Sequence, residues 1–107
     1  MIGKIVNVTV DRPLGSYHPQ YTDLYYPINY GYIANTISGD GEEIDAYILG
    51  VDFPLLEFCG RVIAIIHRLN DVEDKLVVAP DGKLFSKEQI IELTHFQEKY
   101  FDITVEV

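Results

Sequence analysis

Residues 5–10, Ile-Val-Asn-Val-Thr-Val, alternate apolar and polar positions and put Val6, Val8 and Val10 on one side. Successive strand side chains point to opposite faces, so this period of two predicts a strand with one buried face. Pro13, Gly15, Pro19 and Pro27 break up residues 11–29, which read mostly as loop. Residues 30–33 are a short apolar segment, and 44–51, after a polar turn, predict a strand that ends at Asp52-Phe53-Pro54. The stretch at 61–68, RVIAIIHR, is nearly apolar throughout and rich in β-branched residues, the composition of a well-buried strand. Residues 69–74 turn the chain, and 75–79 return it as a partner strand.

Near the C-terminus the period changes. Ser86 followed by Gln89 makes a capping box, in which each side chain satisfies a backbone N–H at the start of a helix. Ile90, Leu93, Phe96 and Tyr100 then recur at helical spacing, which predicts an apolar stripe laid on the sheet. Residues 102–107 alternate again and predict a last strand. Short strands with turns between them and one late helix point to a small β-barrel under a covering helix, in one domain over residues 1–107.

Charge narrows the function. Seventeen acids against eight bases give a formal net charge of −9, a field that repels nucleic-acid phosphates and attracts cations. No nucleic-acid partner is therefore expected. No run reaches the roughly 18 apolar residues of a membrane span, so no membrane partner is expected either. Cys59 is the only cysteine, which excludes an internal disulfide and a cysteine metal site and favours a cytoplasmic location.

The acids are not spread evenly. Asp40, Glu42 and Asp45 crowd one glycine-bent turn, with Glu43 between them. Neighbouring carboxylates raise one another's pKa, and a divalent cation removes that cost. Oxygen-only ligands suit Mg²⁺ or Mn²⁺. The plain alternative is a solvated hairpin loop. A calcium EF-hand is excluded, because no twelve-residue ligand spacing follows and no helix precedes.

The residues around this turn carry a resemblance. Tyr26-Pro27, Asn29-Tyr30-Gly31, Asn35-Thr36, Asp40-Gly41 and Ile44-Asp45 fall without a gap on a known signature. It is that of the soluble family I inorganic pyrophosphatases, with its tyrosine-proline, asparagine-tyrosine-glycine and D-G-D-P-hydrophobic-D elements. Residues 70–80, NDVEDKLVVAP, are similar to the family's lysine-bearing strand and the metal-binding aspartates before it. Lys75 stands at the phosphate-contacting lysine, with Glu73 and Asp71 at the two aspartates. Residues 95–101, HFQEKYF, match a helical segment that puts Tyr100 at a phosphate-contacting tyrosine. Asp11-Arg12-Pro13 looks like the family's strand end, with Asp11 where a glutamate is usual.

The resemblance implies a mainly β (α+β) fold, a five-stranded barrel of the oligonucleotide-binding shape with a C-terminal covering helix. It implies metal-dependent hydrolysis of inorganic pyrophosphate, or of a related phosphate anhydride or ester. Asp40, Glu42 and Asp45, with Asp71 and Glu73, would hold Mg²⁺ or Mn²⁺. Asp45 and Tyr30 would be catalytic, and Lys75, Tyr26, Tyr100 and Arg12 would bind substrate. Glu42 stands where the family has an aspartate, Pro19 and Tyr21 where it has a lysine and a glutamate, and Phe101 where it has a lysine. The segment bearing a substrate-binding arginine is shortened. Arg12, His18, Arg68 and Lys83 are the bases left to replace these groups. The losses keep a second reading open, a catalytically silent barrel serving as a binding or interaction module. His67 reads as a partly buried core residue, His95 as a packing residue, and Cys59 as a core or strand-edge thiol. A small barrel with exposed strands is also expected to self-associate.

Overall fold

The structure is a computed structural model and describes residues 1–107. Its elements are β1 (Ile5–Arg12), β2 (Asn29–Ile33), β3 (Ile44–Ile48), β4 (Glu57–Arg68), β5 (Asp74–Ala79), α1 (Lys87–Glu98) and β6 (Ile103–Glu106). The sheet order is β1-β2-β3-β5-β4-β6, and β1 also pairs with β4. That extra pairing closes five strands into a barrel and leaves β6 as an added strand on β4. Closure removes the edges that those five strands would present as an open sheet, and β6 keeps a free outer edge.

β4 is longer than its apolar run predicts. It begins at Glu57, and its first residues pair with β1 from Thr9↔Glu57 to Ile5↔Arg61. Beyond Arg61 it pairs with β5 and then, at Ile65–Arg68, with β6. Gly31 in β2 is required by sterics, since a β-carbon there would fall 1.9 Å from the Thr9 carbonyl oxygen of β1.

Alternate residues of the central strands enter two cores. Val8, Val10, Ile48, Val62, Leu76 and Val78 fill one. Tyr26, Tyr47, Leu49, Ile66, Val77 and Ile90 form the other, beneath α1. β3 and β5 are buried on both faces, which is why 44–51 and 75–79 read as continuous apolar runs. Asn29, fully buried, stitches the preceding loop to the 53–55 turn. Its Oδ1 accepts from the Leu14 and Leu55 amides at 2.9 and 3.0 Å, and its Nδ2 donates to the Phe53 carbonyl at 3.0 Å.

The capping box at Ser86 and Gln89 is present, with bonds of 2.8 and 3.1 Å. The buried face of α1 differs from the expected stripe. Ile90, Thr94 and Glu98 are buried, whereas Leu93 is exposed and Tyr100 lies beyond the helix end, 66% exposed. Phe96 is partly buried and packs edge-on against Tyr26 and Tyr47. Two polar residues can face the barrel because each has a partner. The Thr94 hydroxyl donates to the Ile90 carbonyl, and Glu98 meets Arg68.

Candidate active site

Two acid-bearing loops meet because β3 and β5 are parallel neighbours, so the loops leading into them arrive at the same end of the barrel. Residues 34–43 lead into β3 and residues 69–73 into β5. They touch at Gly39, where an added β-carbon would lie 2.1 Å from the Val72 carbonyl oxygen. Just inside this contact, Asp45 of β3 and Lys75 of β5 are joined. Lys75 Nζ donates to Asp45 Oδ2 at 2.6 Å, and the Tyr30 hydroxyl donates to the same oxygen at 2.9 Å. Lys75 Nζ is also 3.3 Å from Glu73 Oε2. Burial, reinforced by the Asp45 charge, holds the Tyr30 phenol well above its ordinary pKa, so it remains a donor.

These groups open onto a cleft of about 1040 Å³. Of the residues singled out in the sequence, Tyr30, Asp45, Asp71, Glu73, Lys75 and Tyr100 line it. The others do not. Tyr26 is buried and donates its hydroxyl to Gln97 Oε1 at 2.7 Å, packing beside Tyr30 at 5.6 Å between rings. Arg12 pairs with neighbouring Asp11 at 3.4 Å. Glu42 is exposed, and Asp40 folds back on its own turn.

The acidic turn therefore does not close on a common point. The Ser38 hydroxyl and the Glu42 amide donate to Asp40 Oδ1, the latter at 3.0 Å, and hold the Asp40 carboxyl down at about 2. This relieves the charge crowding locally, by hydrogen bonds to the ionised form. No group of three or more His, Cys, Asp or Glu side chains is arranged to hold a metal ion. Magnesium, however, keeps several waters and takes only one or two carboxylates plus substrate phosphates. Asp45 and Glu73 offer that smaller set, and the Lys75 ammonium lies between them as a cation would. Burial raises Glu73, Lys75 opposes the rise, and a hydrogen bond with Asp40 adds to it. The donor set fits a hard divalent ion.

Of the four bases left to replace the family's lost groups, His18 and Arg68 line the cleft, together with Lys99, which the sequence pattern did not mark. His18 Nδ1 accepts from the Gln20 and Tyr21 amides at 3.0 and 3.1 Å, so its proton sits on Nε2. Burial, aided by nearby Arg12, lowers its pKa. Arg68 donates through Nε and Nη2 to both carboxylate oxygens of Glu98, at 2.9 and 2.7 Å. Lys83 lies elsewhere, bonded to the Gly50 carbonyl at 3.1 Å. His67 is not a core residue. It is over a third exposed and bridges Asp74 at 3.0 Å and Glu106 at 2.8 Å. Cys59 is exposed.

The fold is thus a closed five-stranded barrel with a cleft that gathers carboxylates, a buried lysine and a buried tyrosine. Comparison with known proteins agrees. The inorganic pyrophosphatase family model matches residues 6–105, and the chain belongs to that family. It is 30% identical to an inorganic pyrophosphatase of Xylella fastidiosa over 114 residues, covering 90% of this chain and 60% of that one. It is 26% identical to that of Geobacillus stearothermophilus over 129 residues, covering 94% and 78%. The chain thus spans about 60% of the length of the Xylella relative. The fold is that of the inorganic pyrophosphatase of Ehrlichia chaffeensis, with a TM-score of 0.73 at 20% identity, covering 99% of this chain and 87% of the other. The Helicobacter pylori enzyme gives 0.70 at 21%, covering 96% and 84%.

Proposed function

We propose that this chain is a metal-dependent phosphohydrolase that cleaves inorganic pyrophosphate to phosphate, acting as one domain. The observation that carries the reading is the Tyr30–Asp45–Lys75 cluster at the cleft of a chain in this family. Charge supports the metal requirement. Asp23, Asp45, Asp71 and Glu73 line the cleft against Arg68, Lys75 and Lys99, four formal negative charges to three positive. A highly charged phosphate anion entering such a cleft needs added cations.

Asp45 and Glu73 are the residues that would hold Mg²⁺ or Mn²⁺, with Asp40 and Asp71 on the abutting loops beside them. When bound, the ion neutralises phosphate charge and lowers the pKa of water. The Asp45 carboxylate orients the attacking water and accepts its proton. Lys75 has three N–H donors, of which two are engaged by Asp45 and Glu73, so one remains for a phosphate oxygen. The Tyr30 phenol and the exposed Tyr100 hydroxyl add neutral donors that stabilise charge on the departing phosphate. Water oxygen bonds to phosphorus, the bridging P–O bond breaks, and its electron pair leaves with the second phosphate.

Tyr26 and Arg12 act outside the cleft wall, Tyr26 as packing beneath Tyr30. No helix is long and apolar enough to cross a membrane. The cytoplasm is the compartment proposed, and self-association is proposed as well, to be read by sedimentation. The deciding experiment is phosphate release from pyrophosphate by the purified chain in Mg²⁺ or Mn²⁺. Release is expected. Its absence under every divalent ion would leave the barrel as a binding module.

A further inference from the structure

Arg68 stands out among the cleft-lining bases because it is built into place and yet is not fully used. Its side chain is 5% exposed, and Glu98, its bidentate partner, is 1% exposed. The guanidinium lies over the Phe101 ring at 3.7 Å. The Tyr47 hydroxyl also donates to Glu98, and Gln97 Nε2 donates to that hydroxyl at 2.8 Å. The ion pair is thus held from three sides. A clasp between β4 and α1 does not need such a pair, since apolar side chains of similar volume commonly serve as well or better. A rigid, always charged fork on the wall of an anion cleft has a use that an apolar clasp lacks.

The count of donors says what that use is. Arginine carries five N–H groups. Nε and Nη2 each give one to Glu98, and Nη1 gives one to Asp71 Oδ2 at 3.2 Å, the longest of the three. Two N–H groups are left, one on each terminal nitrogen, and each can donate to a phosphate oxygen. Asp71 belongs to the 69–73 loop and its side chain is 27% exposed.

Resting on the reading of the cleft as a pyrophosphate site, we propose that Arg68 binds the substrate. Its two free N–H groups donate to phosphate oxygens, while Glu98 fixes the guanidinium plane and Asp71 holds Nη1. Arg68 thereby supplies the guanidinium that the shortened 20–27 segment does not.

The test uses a non-hydrolysable, methylene-bridged diphosphonate in Mg²⁺, titrated calorimetrically into the wild type, Arg68→Lys and Arg68→Met, beside steady-state phosphate release. Loss of these two charged hydrogen bonds is expected to weaken diphosphonate binding roughly tenfold to a hundredfold and to raise KM more than it lowers kcat. Lysine should recover only part of this, because it lacks the planar fork. In the wild type, the Arg68 side-chain N–H resonances should shift as diphosphonate is added, a readout that stands even if both variants fail to fold. Wild-type turnover with unchanged binding by a folded Arg68→Lys, or with unmoved Arg68 resonances, overturns the proposal and leaves the hydrolase reading intact. Diphosphonate binding weakened by Arg68→Lys in a chain that releases no phosphate upholds the Arg68 contact and overturns hydrolysis.

Discussion

Lys75 and Asp45 sit on neighbouring parallel strands with Nζ 2.6 Å from Oδ2, and the Tyr30 hydroxyl reaches the same oxygen. The Lys75 side chain is 3% exposed and that of Asp45 is 29% exposed, so the pair is shielded without being sealed. Asp45→Asn keeps the shape and removes the charge. It is expected to abolish phosphate release and to lower stability by about 1–3 kcal/mol, because Lys75 keeps only Glu73. Urea unfolding and a phosphate assay check both. Full activity in a folded Asp45→Asn would remove Asp45 from the chemistry.

Metal should be visible without substrate. An ion that binds only the folded chain adds RT ln(1 + [L]/Kd), about 1.4 kcal/mol at ten times Kd. For a domain of this size that is roughly 5–10 °C in the melting midpoint. The midpoint is therefore expected to rise in millimolar Mg²⁺ and to rise less in Asp45→Asn. Equal melts with Mg²⁺ and with a chelator would argue against a metal between Asp45 and Glu73.

His67 gives stability a pH dependence. Its folded pKa is raised, first by the hydrogen bond to Glu106, which desolvation opposes, and then by the bond to Asp74. A raised histidine stabilises the fold fully below its unfolded value near 6.5, and that contribution fades as pH climbs through the higher folded value. Thermal melts of the wild type and His67→Gln should therefore differ most near pH 6 and converge at alkaline pH. A gap that widens with rising pH would reverse the assignment.

The helix face can be tested by two truncations. Ile90 is fully buried, and Ile90→Ala should cost roughly 2–5 kcal/mol. Leu93 is 37% exposed, and Leu93→Ala should stay within about 1 kcal/mol. Chemical denaturation separates the two. Equal losses would restore the stripe expected from sequence spacing.

What the sequence made legible was whatever repeats or sits locally. The period of two marked β1, the apolar runs marked β3, β4 and β5, and the capping box marked the start of α1. Tyr30 and Lys75 were marked by the family resemblance and Asp45 by the acidic turn as well, and the three meet because each lies on a strand of the same barrel. The rest depends on contacts that no period encodes. Thr94 and Glu98 replace Leu93 on the buried face because each has a partner, Thr94 the Ile90 carbonyl one turn back and Glu98 an arginine thirty residues away. His67 followed an apolar run, yet the strand's alternation turns it away from buried Ile66 and Arg68 toward Asp74 and Glu106. Asp40 found its partner two residues back, in a serine whose hydroxyl competes for the role assigned to a metal.

The abutment of Gly39 on the Val72 carbonyl makes the 34–43 and 69–73 loops a single keel. A side chain at 39 would act as a wedge and splay both at once, so neither segment can be lengthened or re-cut without refitting its neighbour. Changes at the β4–β5 turn are therefore felt at the β2–β3 turn, and substitutions in the two should be exchanged in pairs.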